Sequence, residues 1–187
     1  MGTALDAAVR ALAAGDLVVY PTDTVLGLAV RASDVRAVRR LCAVKRRPEL
    51  QSISVAVSSL EEVERLGTLN RSARAFLRRH LPGPYTVLLR PSGPARRALV
   101  RSVAGGPRIG VRVPDHPVAR ELARRAGPIT ATSANRHGAP TPHTVAEARA
   151  AFGTEVRVYL AARPVPSGRP STLVDLAGPA PRPVERS

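Results

Sequence analysis

The strongest candidate for chemistry is a run of cations, Lys45-Arg46-Arg47-Pro48, which contains the only lysine among the 29 lysine and arginine residues of the chain. A lysine ammonium is a compact point charge on a flexible stem, whereas arginine presents a rigid planar fork. Three adjacent cations repel one another, so a bound polyanion would stabilise them. The run predicts phosphate binding by a polar loop that follows a helix, and a solvated surface run is the alternative.

Three further polar clusters lie where apolar strands are expected to end. Two of them, residues 20–24 and 130–135, combine threonine and serine hydroxyls with Asp23 or Asn135. They could hold the oxygens of a phosphate or a ribose, or they could form ordinary side-chain-capped turns. The third is Arg112, which interrupts an apolar strand and therefore needs a carboxylate partner, from the protein or from a ligand.

Alternating helical and strand patterns must position these clusters. The chain is predicted to be one α/β domain over residues 1–187 around a mixed sheet, with a proline-rich tail at about 179–187. Ser33 is expected to cap one helix, and Thr144 and Glu147 have the spacing of a capping box. A long loop is predicted over 91–107 because it is rich in proline, glycine and arginine. The predicted helices cover 5–12, 35–42, 60–66, 71–79, 117–126 and a short segment from 144, and the predicted strands cover 17–20, 25–30, 52–57, 85–89, 108–113, 129–132, 156–161 and 172–176.

Composition narrows the function classes. The net charge of +15 and the pI near 11.7 favour a polyanionic partner such as a nucleotide or a nucleic acid. The single Cys42 excludes an internal disulfide and a cysteine-cluster metal site. The four histidines lack metal-ligand spacing and are expected at the surface, so no metal site is predicted on the protein. Without an apolar stretch of membrane-spanning length, the chain is expected to be cytoplasmic.

Six stretches follow one another along the chain, and no GxGxxG or GxxxxGK[ST] loop accompanies them. The stretches are Tyr-Pro-Thr-Asp-Thr-Val-Leu-Gly-Leu at 20–28, Lys-Arg-Arg-Pro at 45–48, Leu-Pro-Gly-Pro-Tyr-Thr at 81–86, Val-Arg-Val-Pro-Asp-His-Pro at 111–117, Ser-Ala-Asn-Arg-His-Gly-Ala-Pro-Thr-Pro at 133–142 and Ser-Thr-Leu-Val-Asp-Leu at 171–176. Together and in this order, they resemble the YrdC/Sua5 family, the threonylcarbamoyladenylate synthases of tRNA modification.

The resemblance implies a twisted mixed β-sheet with flanking helices and a concave basic cavity. It implies a nucleotidyltransferase that forms threonylcarbamoyl-AMP and pyrophosphate from L-threonine, bicarbonate and ATP, with Mg²⁺ carried by the ATP. The product would serve t6A formation at position 37 of tRNA, and other proteins would perform the transfer. The extra C-terminal domain of longer Sua5 proteins is expected to be absent.

The resemblance also implies roles for individual residues of this chain. Lys45 and Arg47 match the pair that engages the ATP phosphates, and they are the expected catalytic residues. Arg112 matches the arginine that pairs with the carboxylate of threonine. The other implied ATP-binding residues are Gln51, Arg108, Ser133, Asn135, Thr141 and Arg186, and the other implied threonine-binding residues are Thr24 and Ser171.

Three departures from the family pattern keep alternatives open. Leu26 replaces the usual tyrosine of the first motif, Gln51-Ser52-Ile53 replaces the usual sequence after the cationic run, and Ala56 stands where many members have a histidine. One alternative is a paralogue that makes another carbamoyl-adenylate. A second is a non-catalytic module of the same fold that binds tRNA or double-stranded RNA.

Overall fold

The computed structural model describes residues 2–48, 51–161, 163–164 and 166–185, and it folds them into eight α-helices, a 3₁₀ helix and eleven strands. The helices are α1 (Gly2–Ala13), α2 (Val35–Lys45), α3 (Leu60–Leu66), α4 (Arg71–His80), α5 (Gly93–Ala98), α6 (Arg101–Ala104), α7 (Pro117–Ala126) and α8 (Val145–Phe152), followed by the 3₁₀ helix Gly153–Glu155. The strands are β1 (Val18–Tyr20), β2 (Gly27–Ala29), β3 (Val55–Ala56), β4 (Gly67–Thr68), β5 (Tyr85–Pro91), β6 (Ile109–Arg112), β7 (Ile129–Thr130), β8 (Thr132–Ser133), β9 (Val158–Tyr159), β10 (Thr172–Asp175) and β11 (Arg182–Val184).

The strands form two mixed sheets, which confirms the predicted α/β fold class. The smaller sheet has the order β8-β2-β1-β9, and the larger has the order β11-β10-β5-β6-β3-β7, with β4 paired to β5. In the larger sheet β5 runs parallel to β10 and antiparallel to β6, with Val87 opposite Val111. The centre of this sheet therefore places β10, β5 and β6 side by side, and the candidate residue Arg112 ends β6.

An aliphatic core holds the helices against the sheets, as expected for a chain with 3% aromatic residues. One buried cluster joins α2 to the larger sheet through residues such as Leu41 and Val111, and a second joins α1 and α7 through residues such as Leu12 and Leu122. Burial of these aliphatic side chains is the main stabilising term that offsets the conformational entropy of the chain. None of the described helices is long and apolar enough to cross a bilayer.

Helix ends agree with the sequence where capping chemistry was recognised. Thr144 accepts a hydrogen bond from the backbone N–H of Glu147, and the Glu147 carboxylate accepts from the N–H of His143, which confirms a cap at this helix. The assignment of Ser33 as a cap is wrong, because Asp34 is the N-cap of α2 and accepts from the N–H of Ala37.

The prediction of a long loop over 91–107 is wrong, because α5 and α6 lie within this range. Ser92 caps α5 by accepting from the N–H of Ala95, and Pro94 occupies the first turn, where a missing N–H costs nothing. The tail predicted at 179–187 also contains a strand, because β11 pairs with β10. His116 was expected at the surface, but it is fully buried at the start of α7, with its Nε2 3.1 Å from the carbonyl oxygen of Pro164.

Candidate functional site

A cavity of about 720 Å³ is lined by residues of both sheets. Its charged lining residues within the described ranges are Arg47, Arg108, Arg112 and Glu185. Three guanidinium groups and one carboxylate line the cavity, and the guanidinium groups carry several N–H donors that suit an anionic ligand. Of the residues implied by the resemblance, those that line the cavity are Arg47, Gln51, Arg108, Arg112, Ser133, Thr141 and Ser171.

Arg112 lines the cavity and is held by partners in the turn between β1 and β2. One terminal nitrogen donates to the Asp23 carboxylate at 2.7 Å, and the other donates to the Thr24 hydroxyl at 2.8 Å. The Arg112 side chain is 8% exposed, so this ion pair is largely buried. The structure thus supplies a protein carboxylate for Arg112. Because a guanidinium has five N–H donors, it retains donors for a ligand in the cavity.

The hydroxyls of the same turn are ordered by a short network. Thr22 donates to the carbonyl of Val25 at 2.7 Å and accepts from the backbone N–H of Thr24 at 3.1 Å. The two threonine hydroxyls are 2.9 Å apart, and since the Thr22 proton is used on Val25, Thr24 must donate to Thr22. Thr24 does not line the cavity. Its hydroxyl is engaged by Arg112 and Thr22, so in this structure it orients the guanidinium.

Lys45 lies in the last turn of α2, and the expectation that it occupies a polar loop is wrong. The residue is 3% exposed, and its Nζ donates to the carbonyl oxygens of Ser133 and Asn135, each at 2.5 Å. Burial lowers the pKa of Lys45 to about 8, and the charge of Arg47 acts in the same direction. Lys45 does not line the cavity, so here it contacts the segment 133–135 and does not face the open space directly.

The two arginines that follow Lys45 point to different surroundings. Arg46 ends the helix in the left-handed conformation with φ 53° and is exposed. Arg47 lines the cavity, and its guanidinium donates to the carbonyl of Ser52 at 2.6 Å. Its Nε is buried without a hydrogen-bond partner, and burial lowers its pKa. Of the cationic run, Arg47 is therefore the residue placed to meet a ligand in the cavity.

The segment after β8 forms a compact loop beside Lys45. The Ser133 hydroxyl donates to the Asn135 side-chain oxygen at 2.5 Å, and the Asn135 amide donates to the carbonyl of Ala139 at 2.6 Å. The N–H of His137 donates to the carbonyl of Lys45 at 2.7 Å, which fixes the loop to the end of α2. Ser133 lines the cavity and Asn135 does not, so Asn135 shapes the loop that presents Ser133.

The remaining implied residues lie on the larger sheet and at its edge. Arg108 is paired with Asp175 at 3.3 Å and leaves part of its side chain exposed. Ser171 lies 2.7 Å from the hydroxyl of Thr86, and both hydroxyls are buried at the cavity wall. Arg186 lies outside the described residues.

Several cavity residues were not singled out from the sequence. Thr86 and Tyr20 fall within recognised stretches, but nothing in a single sequence distinguishes them from their neighbours. Gly27 also lines the cavity, and a Cβ there would lie 2.5 Å from the Tyr20 ring. The close approach of these two strands therefore requires glycine.

The two single-residue departures from the family pattern lie in the core. Leu26 is 2% exposed and belongs to the cluster around α2, and Ala56 is fully buried among residues that pack on α7. Neither side chain lines the cavity. Among the described residues, no group of three or more histidine, cysteine, aspartate or glutamate side chains could hold a metal ion.

Sequence comparisons place this architecture among known proteins. A Sua5/YciO/YrdC family model, described as "Telomere recombination", matches residues 10–187. The chain is 38% identical over 176 residues to a putative threonylcarbamoyl-AMP synthase of Mycobacterium tuberculosis, covering 94% of this chain and 80% of that protein. It is also 38% identical over 171 residues to the threonylcarbamoyl-AMP synthase of Chromohalobacter salexigens, covering 90% of each.

Solved structures show the same fold. Pyrococcus abyssi Sua5 complexed with L-threonine is 29% identical and superposes with a TM-score of 0.88. The match covers 97% of this chain and 53% of the Sua5 chain, so this chain spans about half the length of that protein.

Proposed function

Because the chain belongs to the Sua5/YciO/YrdC family, we propose that it is a threonylcarbamoyl-AMP synthase, which uses L-threonine, bicarbonate and ATP. The observation that carries the proposal is the cavity in which Arg47, Arg108 and Arg112 converge with buried hydroxyls. Strand register places Arg112 near Thr86, which contacts Ser171, and Arg47 and Ser133 line the same cavity. Two anions, an amino acid carboxylate and a triphosphate, match these two groups of donors.

The proposed reaction needs placement and charge neutralisation more than a protein nucleophile. The amine of threonine adds to bicarbonate, and water leaves, which gives a carbamate. A carbamate oxygen then attacks the α-phosphorus of ATP, and the bond to pyrophosphate breaks. Holding the two anions in one cavity supplies proximity, and fixed guanidinium donors stabilise charge on the departing pyrophosphate.

In this scheme Arg112 binds the threonine carboxylate, and Arg47 binds the phosphates. Lys45 supplies positive charge behind the Ser133–Asn135 segment and keeps Ser133 pointed at the nucleotide. Arg108, Gln51 and Thr141 also contact the nucleotide. Arg186 is proposed to contact the nucleotide as well, and it lies outside the described residues. Thr24 and Ser171 support the threonine side.

Mg²⁺ is proposed to enter with ATP. Among the described residues that line the cavity, Glu185 is the one acidic side chain. A single carboxylate does not form a cage for a metal ion, and no cluster of metal-ligating side chains is found among the described residues. The donors that remain for Mg²⁺ are the phosphate oxygens of ATP, and hard oxygen ligands of this kind suit the ion. When bound, the ion would neutralise charge on the phosphates, while the arginines orient them.

A second candidate is an RNA-binding module, and the net charge of +15 favours it. Phosphate contacts by arginine would give binding that weakens steeply with salt. Contact with tRNA or double-stranded RNA is also compatible with the synthase, because its product is proposed to pass to proteins that modify tRNA at t6A37.

One assay separates these functions. Pyrophosphate release from ATP and bicarbonate is measured with L-threonine, without an amino acid, with other amino acids, and with carbamoyl phosphate in place of both threonine and bicarbonate. Release that depends on L-threonine is expected. Release with another amino acid or with carbamoyl phosphate would indicate a paralogue, and no release together with tight, salt-sensitive tRNA binding would indicate the RNA module.

The pH dependence of turnover should report the buried lysine. Burial lowers the pKa of Lys45 to about 8, so the charged form is lost as the pH rises through that value. Since kcat/KM reports groups of the free enzyme, kcat/KM for ATP is expected to fall above about pH 8 in a one-proton step. The coupling enzymes are profiled separately as a control, and a profile that stays flat well above this pH would contradict the role of Lys45.

Stability should change in the opposite direction over the same range. The pKa of Lys45 in the folded protein lies below the ordinary lysine value of 10.5, which applies to the unfolded chain, so the unfolded chain binds more protons between these two values. The contribution of this group to the free energy of unfolding therefore rises with pH from about 8 to about 10.5. Urea unfolding at several pH values measures this contribution.

A further inference from the structure

We propose that Thr86 is a specificity-determining residue whose hydroxyl recognises the β-hydroxyl of the amino acid substrate. This inference rests on the proposed function and assigns a role to a residue that the sequence did not single out. Thr86 is 4% exposed, and it nevertheless lines the cavity. Its side chain is thus fixed by packing at the wall of the cavity.

Strand register places Thr86 next to the carboxylate-binding arginine. In the antiparallel pair of β5 and β6, Val87 lies opposite Val111 and Leu88 lies opposite Gly110. One step further along this register brings Thr86 opposite Arg112. Side chains directly opposite each other on one face of a sheet are close neighbours. A carboxylate held by Arg112 therefore leaves the substituent on the β-carbon of the same amino acid within reach of Thr86.

Hydrogen-bond capacity distinguishes Thr86 from the other hydroxyls near Arg112. Thr22 uses its proton on the carbonyl of Val25 and both lone pairs on Thr24. Thr24 donates to Thr22 and accepts from Arg112. The Tyr20 hydroxyl donates to the carbonyl of Thr130 at 3.3 Å. The protons of all three hydroxyls are thus committed to the protein, so towards a ligand Thr24 and Tyr20 could only accept, whereas the proton of Thr86 can be donated either to Ser171 or to a ligand.

Thr86 has one hydrogen-bond partner among the described residues, the Ser171 hydroxyl at 2.7 Å. A hydroxyl holds one proton and two lone pairs, so Thr86 retains capacity for a second partner. A substrate hydroxyl can supply that partner, whereas an analogue without it leaves the buried Thr86 hydroxyl incompletely paired. Sites built in this way reject the analogue because the protein group is left unsatisfied.

The test compares L-threonine with L-2-aminobutyrate, which is threonine without its hydroxyl. For each variant, kcat/KM for L-threonine is measured together with the inhibition constant of L-2-aminobutyrate as a competitor of L-threonine. In Thr86→Val, which keeps the shape and removes the hydroxyl, kcat/KM for L-threonine is expected to fall about tenfold, the value of one hydrogen bond. The inhibition constant of L-2-aminobutyrate is expected to change less than about twofold, because that ligand never made the bond.

Two further variants serve as controls. Thr86→Ser keeps the hydroxyl and should retain the preference for L-threonine. Thr132→Val makes the same isosteric change at another cavity-lining threonine and should leave the preference unchanged. If Thr86→Val does not fold, Thr86→Ala is measured in the same way.

Equal losses for both ligands in Thr86→Val, or no change for either, would overturn the inference. If the wild type shows turnover that requires L-threonine and Thr86→Val gives either of those two results, the role of Thr86 is refuted and the proposed function stands. Absence of L-threonine-dependent turnover in the wild type would refute the proposed function, and this inference with it.

Discussion

Replacement of Lys45 by methionine is expected to reduce threonine-dependent turnover by at least about 100-fold, the usual loss when a preorganised charge stabiliser is removed. Methionine fills a similar volume, but it leaves the carbonyls of Ser133 and Asn135 without the donor that now lies 2.5 Å from each. The segment that presents Ser133 to the cavity would then relax. Pyrophosphate release measures the effect.

The same substitution is expected to lower the free energy of unfolding by about 2 kcal/mol. Each buried carbonyl that loses its donor costs about 1–3 kcal/mol, and removal of the buried ammonium offsets part of that cost. Urea unfolding measures this change. A purely phosphate-binding lysine in a polar loop would lose turnover with little change in stability, so the combined loss distinguishes the buried arrangement.

Arg46→Asn is the matched control for Lys45→Met. It removes one positive charge from the adjacent position, and asparagine tolerates the left-handed conformation that Arg46 adopts. Its turnover and stability are expected to stay close to those of the wild type. Equal losses in the two variants would mean that the cationic run acts through its total charge.

Replacement of Arg112 by methionine is expected to abolish threonine-dependent turnover and to lower the free energy of unfolding by about 3 kcal/mol, as when one partner of a buried ion pair is removed. The carboxylate of Asp23, 2.7 Å from Arg112, would be left buried without its cation. The Thr24 hydroxyl would lose the hydrogen bond that it now accepts from Arg112.

Arg112→Lys separates binding from folding at this position. Lysine keeps the charge, but it lacks the planar fork with which arginine can bind Asp23, Thr24 and a ligand carboxylate at the same time. We expect a smaller loss of stability and a fall of about 100-fold in kcat/KM for L-threonine, equivalent to one or two charged hydrogen bonds. The KM for ATP is expected to change little.

Arg108→Lys is the matched control, since Arg108 lines the same cavity and is also paired with an aspartate. It is expected to raise the KM for ATP and to leave the KM for L-threonine unchanged. The same kinetic change from both substitutions would contradict the division of the cavity into a carboxylate end and a nucleotide end.

The helix boundaries show what could be predicted from local sequence. Pro117 and Gly127 bracket α7, and Thr144 and Glu147 begin α8, because proline, glycine and capping side chains act within one turn of the chain. The helix α5 was missed because its proline and glycine were interpreted as loop signals, although Ser92 stands in the capping position.

The burial of Lys45 was predictable from the spacing of apolar residues in α2. Val38, Leu41 and Cys42 form the apolar stripe of α2, and Lys45 continues that stripe at helical spacing. A lysine on a buried stripe needs acceptors, and here they are carbonyls of a segment about ninety residues away in the chain.

The network around Arg112 could not be predicted from one sequence. The need for a carboxylate was evident, but the choice of Asp23, which is 89 positions distant, depends on how the two sheets meet. The role proposed for Thr86 depends in the same way on strand register and on which neighbouring hydroxyls are already paired.

The most direct test of the account is identification of the product. The protein is incubated with ATP, L-threonine and ¹³C-bicarbonate, and the nucleotides are analysed by mass spectrometry. The account predicts threonylcarbamoyl-AMP that carries the ¹³C label, formed together with an equal amount of pyrophosphate and reduced by about 100-fold in the initial rates of the Arg112→Lys and Lys45→Met reactions. Pyrophosphate without a labelled threonyl adduct, or no reaction by folded wild-type protein, would contradict it.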